Sequence, residues 1–171
     1  MALHSRRNLI IGNSGSGKSH LAKALAEKLS LPVVDLDDIF WLDGSYAAKR
    51  PADRVWAAID HIRQRDAWIA EGVYGQMVER LMARAELLIW LALPWDDCAR
   101  NRLERERVRH PSPSPGDEKR FEALMTYAAS YDTRTNDISR EGHQRLFDAF
   151  TGAKLLFESR AQVDAFIRVQ P

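Results

Sequence analysis

The sequence predicts a three-layer α/β fold, a parallel sheet with helices on both faces, and three observations predict it. Short apolar runs at Leu9-Ile10-Ile11, Val33-Val34, Ala67-Trp68-Ile69-Ala70, Leu87 to Leu93 and Lys154 to Phe157 alternate with segments whose apolar residues recur at helical spacing. The longer runs carry no polar alternation, as expected of strands covered on both faces. Between the first run and the first helical segment, Gly12-Asn13-Ser14-Gly15-Ser16-Gly17-Lys18-Ser19 fits the pattern Gly-x-x-x-x-Gly-Lys-Ser/Thr in full.

That strand, loop and helix organise the rest. Gly12, Gly15 and Gly17 free the backbone, so that successive N–H groups can point inward around phosphate oxygens at the positive end of a helix carrying Leu21, Ala22, Leu25 and Leu29. Gly12 through Ser19, with His20 behind them, are therefore the candidate nucleotide contacts. Lys18 is expected to reach the β- and γ-phosphates of a nucleoside triphosphate, and the Ser19 hydroxyl to bind Mg²⁺. The plain alternative is a flexible Gly/Ser turn.

Ser30-Leu31-Pro32 ends the first helix, and the second strand runs into Asp35-Leu36-Asp37-Asp38. Ligands of open α/β sheets bind beyond the carboxyl ends of strands, where these acids would meet Ser19 and its metal. Asp37 is the first candidate to orient an acceptor hydroxyl, take its proton or hold Mg²⁺, and Asp35 the second. The alternative is that one Asp caps a helix starting near Ile39 while the others are solvated. Phe40 and Trp41 are candidate walls of an acceptor pocket.

Gly44 to Ala52 reads as a loop, and a helix from about Ala52 places Val55, Ile59 and Ile62 on one side. The third strand runs toward Glu71-Gly72-Val73-Tyr74. Glu71 is read as an outer metal group or acceptor partner, against helix capping as the alternative. Gly72 and Tyr74 are placed with it on the acceptor side. Val78, Leu81 and Met82 mark a short helix, and the fourth strand carries no acidic pair of the kind mechanical ATPases use.

From Trp95 a helix carries Arg100, Arg102, Arg105, Arg107 and Arg109, with i,i+4 partners Glu104 for Arg100 and Glu106 for Arg102. A salt-bridged face is one reading. The other is a flap: His110 to Gly116 cannot continue a helix, and arginines on a mobile segment beside a phosphate loop can neutralise a transferring phosphoryl group. Arg102 and Arg105 are the first choices there, then Arg109. A helix from Asp117 leads to Arg134, a candidate second clamp on phosphates. His110 and His143 have no ligand spacing around them. A helix near Gly142 to Phe150 precedes the fifth strand, and Arg160, at the start of the last helix, is a candidate to lie on a purine ring.

Composition bounds the function classes. The chain has 171 residues, 25 Lys+Arg against 24 Asp+Glu and a net charge of +1, so no overall field draws it to nucleic acid or anionic lipid. The single Cys98 rules out an internal disulfide and a cysteine-rich zinc site. Neither a signal-peptide core nor a membrane-length apolar run is present, so the cytoplasm is the expected location and no membrane partner is expected. One domain over residues 1–171 is expected, with a lid at about 100–120.

Together these residues resemble the small P-loop kinases of the adenylate-kinase and shikimate-kinase type, and most closely the adenylate-kinase-like topology modulation proteins. The resemblance is carried by Ile11 to Ser19, Leu36 to Trp41, Trp68 to Tyr74, Leu88 to Pro94 and Ser159 to Phe166. It implies a P-loop NTPase fold, a five-stranded parallel sheet in order 2-3-1-4-5, ATP with Mg²⁺, a closing lid, and an acceptor near the ends of strands two and three. Four positions depart from the family: Glu71 stands for Asp, Ala92 for an acid, and Asn101 for the first lid arginine, while no arginine follows Tyr74. The function expected is transfer of the ATP γ-phosphoryl group to a small-molecule or nucleotide acceptor. The alternatives are a nucleotide-gated regulatory or DNA-associated protein, or an ATPase without a small acceptor.

Overall fold

The computed structural model describes residues 4–42 and 48–170. Its order of elements is β1 (Arg7–Gly12), α1 (Lys18–Leu29), β2 (Val33–Asp35), α2 (Leu36–Phe40), α3 (Ala52–Gln64), β3 (Trp68–Gly72), α4 (Gly75–Met82) and β4 (Leu87–Leu91), then α5 (Trp95–Arg109), α6 (Pro115–Ala129), a 3-10 turn (Ser130–Asp132), α7 (Arg140–Ala149), β5 (Ala153–Phe157) and α8 (Arg160–Arg168). All strand pairs are parallel, in the order β2-β3-β1-β4-β5. This is the expected α/β architecture and strand order.

Alternation along the strands divides the core. Leu9 and Ile11 of β1, Trp68 and Ala70 of β3, and Leu88 and Trp90 of β4 face one layer with Val55, Ile59, Val78 and Leu81 of α3 and α4. Ile10, Ile69 and Ile89 face the other, with Leu21, Leu25 and Val163 of α1 and α8. Each central strand is buried on both sides, which is why its sequence reads as a continuous apolar run. Among the described residues, no helix is long and apolar enough to cross a membrane.

Capping chemistry shifts three boundaries from those expected. α2 begins at Leu36, not near Ile39, because the Asp35 carboxylate accepts the Asp37 N–H at 2.8 Å. α6 begins at Pro115, not Asp117: Ser114 and Asp117 form a reciprocal capping box, and proline is tolerated in the first helical turn. α7 begins at Arg140, not Gly142, because Ser139 caps the Gly142 N–H. The loop expected over Gly44 to Ala52 lies in part outside the described residues.

Candidate nucleotide and acceptor site

The loop from Gly12 to Ser19 sits at the carboxyl end of β1. Gly17 precedes α1 in the left-handed region, at φ 95, and the helix start has no side-chain cap. The N–H groups of the first helical turn have no intrahelical partner by geometry, so here they form a positive rim. Ser16 Oγ is buried without a hydrogen-bond partner among the described residues. Lys18 is 8% exposed and donates from Nζ to the Asn13 carbonyl at 2.9 Å, beside the rim. These features fit a chain of anionic oxygens.

Glu71 lies on β3, which pairs directly with β1, and is only 3% exposed. Its Oε1 accepts the Ser19 hydroxyl at 2.5 Å, a role the helix-capping alternative does not contain. Asp35 stands opposite Glu71 in the β2–β3 register. Burial first, and the Glu71 charge second, push the Asp35 carboxyl up to about 6. Ser19, Glu71 and Asp35 thus offer hard oxygen donors of the kind Mg²⁺ takes. Among the described residues no group of three or more His, Cys, Asp or Glu holds a metal by itself. A cation there would depend on phosphate oxygens as well, as is usual for Mg²⁺ in phosphoryl-transfer sites.

Asp37 and Asp38 are on the short helix α2 rather than on a strand end. Tyr74 donates its hydroxyl to Asp37 Oδ1 at 2.5 Å, and Trp41 Nε1–H donates to the Tyr74 oxygen at 2.8 Å. The Phe40 ring stacks at 4.6 Å from that of Tyr74 and edge-on at 5.0 Å from that of Trp41. The carboxylate and the three aromatic rings proposed for the acceptor side therefore form one connected group. Gly72 closes against Leu36, where a Cβ would stand 2.8 Å from the leucine side chain.

α5 runs directly over the phosphate loop. Asn101 donates to the Gly15 carbonyl at 2.8 Å, and Arg102, 8% exposed, lies against Gly15 with its guanidinium over the Phe121 ring at 5.9 Å. Arg105 is exposed, and the side chain of Arg109 lies outside the described residues. Arg100 pairs with Asp97 at 3.1 Å in place of the expected Glu104. Arg134 donates to the carbonyls of Tyr127 and Ile138 at 2.9 and 2.8 Å and lies 3.7 Å over the Tyr127 ring. It braces the chain between α6 and α7 rather than reaching into the crevice. Arg160 is exposed at the start of α8, bonded to Asp164, and His20 is exposed on α1. Cys98, also on α5, packs against the loop at Gly15, where burial pushes its thiol up to about 11 and leaves it unreactive at neutral pH.

A buried chain of hydrogen bonds was not legible in the sequence. Trp90 Nε1–H donates to the Tyr131 oxygen at 3.3 Å, Tyr131 lies 2.6 Å from His143 Nδ1, and His143 Nε2 lies 3.0 Å from the Val73 carbonyl. Because a carbonyl only accepts, Nε2 carries the proton and Nδ1 accepts from the Tyr131 hydroxyl. The group ties the chain just after β3 to β4, the 3-10 turn and α7. Its members come from four distant positions, and no spacing announces them. Arg140, 5.6 Å over the Trp90 ring, is a second residue that the sequence did not single out.

The histidine has a measurable consequence. Burial holds the His143 pKa down to about 4, so its contribution to stability is present above the ordinary value near 6.5 and is lost as pH falls toward 4. Asp35, with its pKa raised, works in the opposite direction, favouring the fold at low pH and losing that contribution as pH rises through about 6. The difference between parent and His143→Gln isolates the first effect. Between pH 7 and pH 5 the stability advantage of the parent is expected to shrink by about 2 kcal/mol, read from urea midpoints at each pH. A pH-independent difference would place a charged imidazole in the core.

No family model matches the chain. A Bacillus subtilis (strain 168) protein named YqaC is 28% identical over 101 residues, 59% of this chain; the match spans about half of the relative, 53%. Among solved structures, a gluconokinase from Sinorhizobium meliloti 1021 is similar with a TM-score of 0.56 and 15% identity, covering 95% of this chain and 87% of that one. A shikimate kinase from Bacteroides thetaiotaomicron has a TM-score of 0.56 and 16% identity, covering 96% and 95%. The chain shares the α/β fold of these two kinases. A third structure, a shikimate kinase from Acinetobacter baumannii in complex with shikimate, agrees at a TM-score of 0.51, 15% identity and coverage of 96% and 92%. The likeness to these kinases extends over nearly the whole chain.

Proposed function

We propose that this chain is a kinase that moves the γ-phosphoryl group of ATP to a hydroxyl of a small-molecule or nucleotide acceptor. The reading is carried by one observation: the phosphate loop and the Asp37–Tyr74–Trp41 group lie at the carboxyl ends of neighbouring strands of one sheet. The loop binds the triphosphate through its backbone N–H groups and Lys18, with Gly12 to His20 as the contact set. Asp37 orients the acceptor hydroxyl and receives its proton as the acceptor oxygen bonds to the γ-phosphorus and the bond to the β–γ bridging oxygen breaks. Phe40, Trp41, Tyr74 and Gly72 form the acceptor wall, with Glu71 behind it. Arg102 and Arg105 neutralise the equatorial oxygens, Arg134 stiffens the return arm, and Arg160 approaches the base. Ser19, with Glu71, Asp35 and Asp37 behind it, would hold Mg²⁺, which when bound supplies charge neutralisation of the phosphates. The proposed location is the cytoplasm.

The test has two stages. Calorimetry with Mg²⁺ and a non-hydrolysable ATP analogue is expected to show uptake at one site; no uptake of an adenine or guanine triphosphate would end the reading. A screen of nucleosides, nucleotides and hydroxylated metabolites is then expected to give ATP-dependent phosphorylation of one class. ATP consumption that no acceptor accelerates would favour the ATPase alternative, and ATP-dependent DNA binding with a steep salt slope would favour the regulatory one.

A further inference from the structure

Both arms of the flap formed by α5, α6 and the chain between them are fastened to the phosphate loop by asparagine amides. On the outgoing arm, Asn101 donates to the Gly15 carbonyl at 2.8 Å. On the return arm, the buried Asn13 side chain donates to the Ala128 carbonyl at the end of α6 at 3.0 Å, while its oxygen accepts the Ser14 N–H at 2.7 Å. The fit at Gly15 is close: at φ +85, a Cβ there would stand 2.2 Å from the Cys98 carbonyl and 2.8 Å from Arg102 Cγ. Only glycine lets α5 descend this far. The main-chain carbonyl of Asn13 also holds the Lys18 ammonium.

We propose that Asn13 and Asn101 are positioning residues that dock the two flap arms on the phosphate loop and so transmit phosphate occupancy of the loop to the arginine-bearing segment. The docking itself stands on the contacts above; its response to nucleotide rests on the nucleotide-binding reading. Coupling of this kind is reciprocal: the factor by which a docked flap tightens nucleotide is the factor by which nucleotide holds the flap. A neutral amide suits the post because it binds a main-chain carbonyl, of the loop for Asn101 and of α6 for Asn13, without placing a fixed charge beside the phosphates.

Limited digestion with trypsin reads the docking, because cleavage after the exposed Arg105 and Arg107 requires α5 to open. Asn101→Asp keeps the size of the side chain but removes the donor facing the Gly15 carbonyl. Without nucleotide, cleavage at these arginines is expected to be about tenfold faster than in the parent, with cleavage after Lys23 of α1 unchanged. Asn13→Asp, which removes the donor to Ala128, is expected to do the same after Lys119 and Arg120 of α6. With Mg²⁺ and a non-hydrolysable ATP analogue at saturation, the parent is expected to be protected and both variants several-fold less so. Parental cleavage rates in both variants, or acceleration shared equally by Lys23, would overturn the docking. Equal protection of parent and variants by the analogue would overturn the transmission. If the analogue fails to bind the parent, the nucleotide reading fails, while the nucleotide-free rates still decide the docking.

Discussion

Lys18→Ala is expected to lower ATP turnover by about 10³-fold or more while weakening nucleotide binding far less. The ammonium is the one cation built into the loop, it is nearly buried, and its partner in this structure is a neutral carbonyl, that of Asn13. Exchanging that carbonyl for a phosphate oxygen costs one hydrogen bond between neutral and charged partners and gains one between two ions in a site screened from water. The gain is greatest where negative charge accumulates on the β–γ bridge and the γ-oxygens, in the transition state rather than in the bound ground state. The first-turn N–H groups of α1 remain in the variant, so the triphosphate keeps most of its hold. Calorimetric Kd values and single-turnover rates separate the two effects. A variant that transfers phosphoryl groups at the parental rate would remove the loop from the chemistry.

Asp37→Asn is expected to lower kcat by about 10²- to 10⁴-fold at saturating acceptor, with the Kd for nucleotide unchanged. The substitution is almost isosteric, and the amide oxygen can still accept the Tyr74 hydroxyl, so the connection through Tyr74 to Trp41 survives. What is lost is the negative charge that receives the acceptor proton. Tyr74→Phe makes the complementary change: it keeps the carboxylate and removes the hydroxyl that orients it, and a loss of about tenfold is expected. The ordering matters. If Tyr74→Phe costs as much as Asp37→Asn, the carboxylate works as a structural anchor for the aromatic wall, and the proton acceptor must be sought at Asp35, whose raised pKa already marks it as able to hold a proton near neutral pH.

Residues 8 to 29 are readable by themselves because their determinants are local. An apolar run, a glycine-rich turn and a helix of fixed period narrow the backbone to a strand, a loop and a helix start, the arrangement on which the phosphate site is proposed. The five-stranded parallel sheet is readable for a similar reason: strands buried on both faces are apolar throughout, and helices between them force crossovers. Candidate acids at the strand ends follow from the same topology, since ligands of such sheets gather there.

The assignment of jobs among those acids was decided by the tertiary structure. Asp35, Asp37 and Glu71 look alike in a sequence, yet one caps α2, one meets Tyr74 and one takes the Ser19 hydroxyl, because strand pairing and a helix boundary bring different partners to each. Arg134 reads as a phosphate clamp until its two carbonyl partners appear, and Asn101 reads as a missing arginine until it is seen holding Gly15. Local pattern determines which backbone can form and which loop can turn its N–H groups toward an anion. The partner of a polar side chain is set by segments tens of residues away in the chain, and hydrogen bonds between such segments leave no period in the sequence to read.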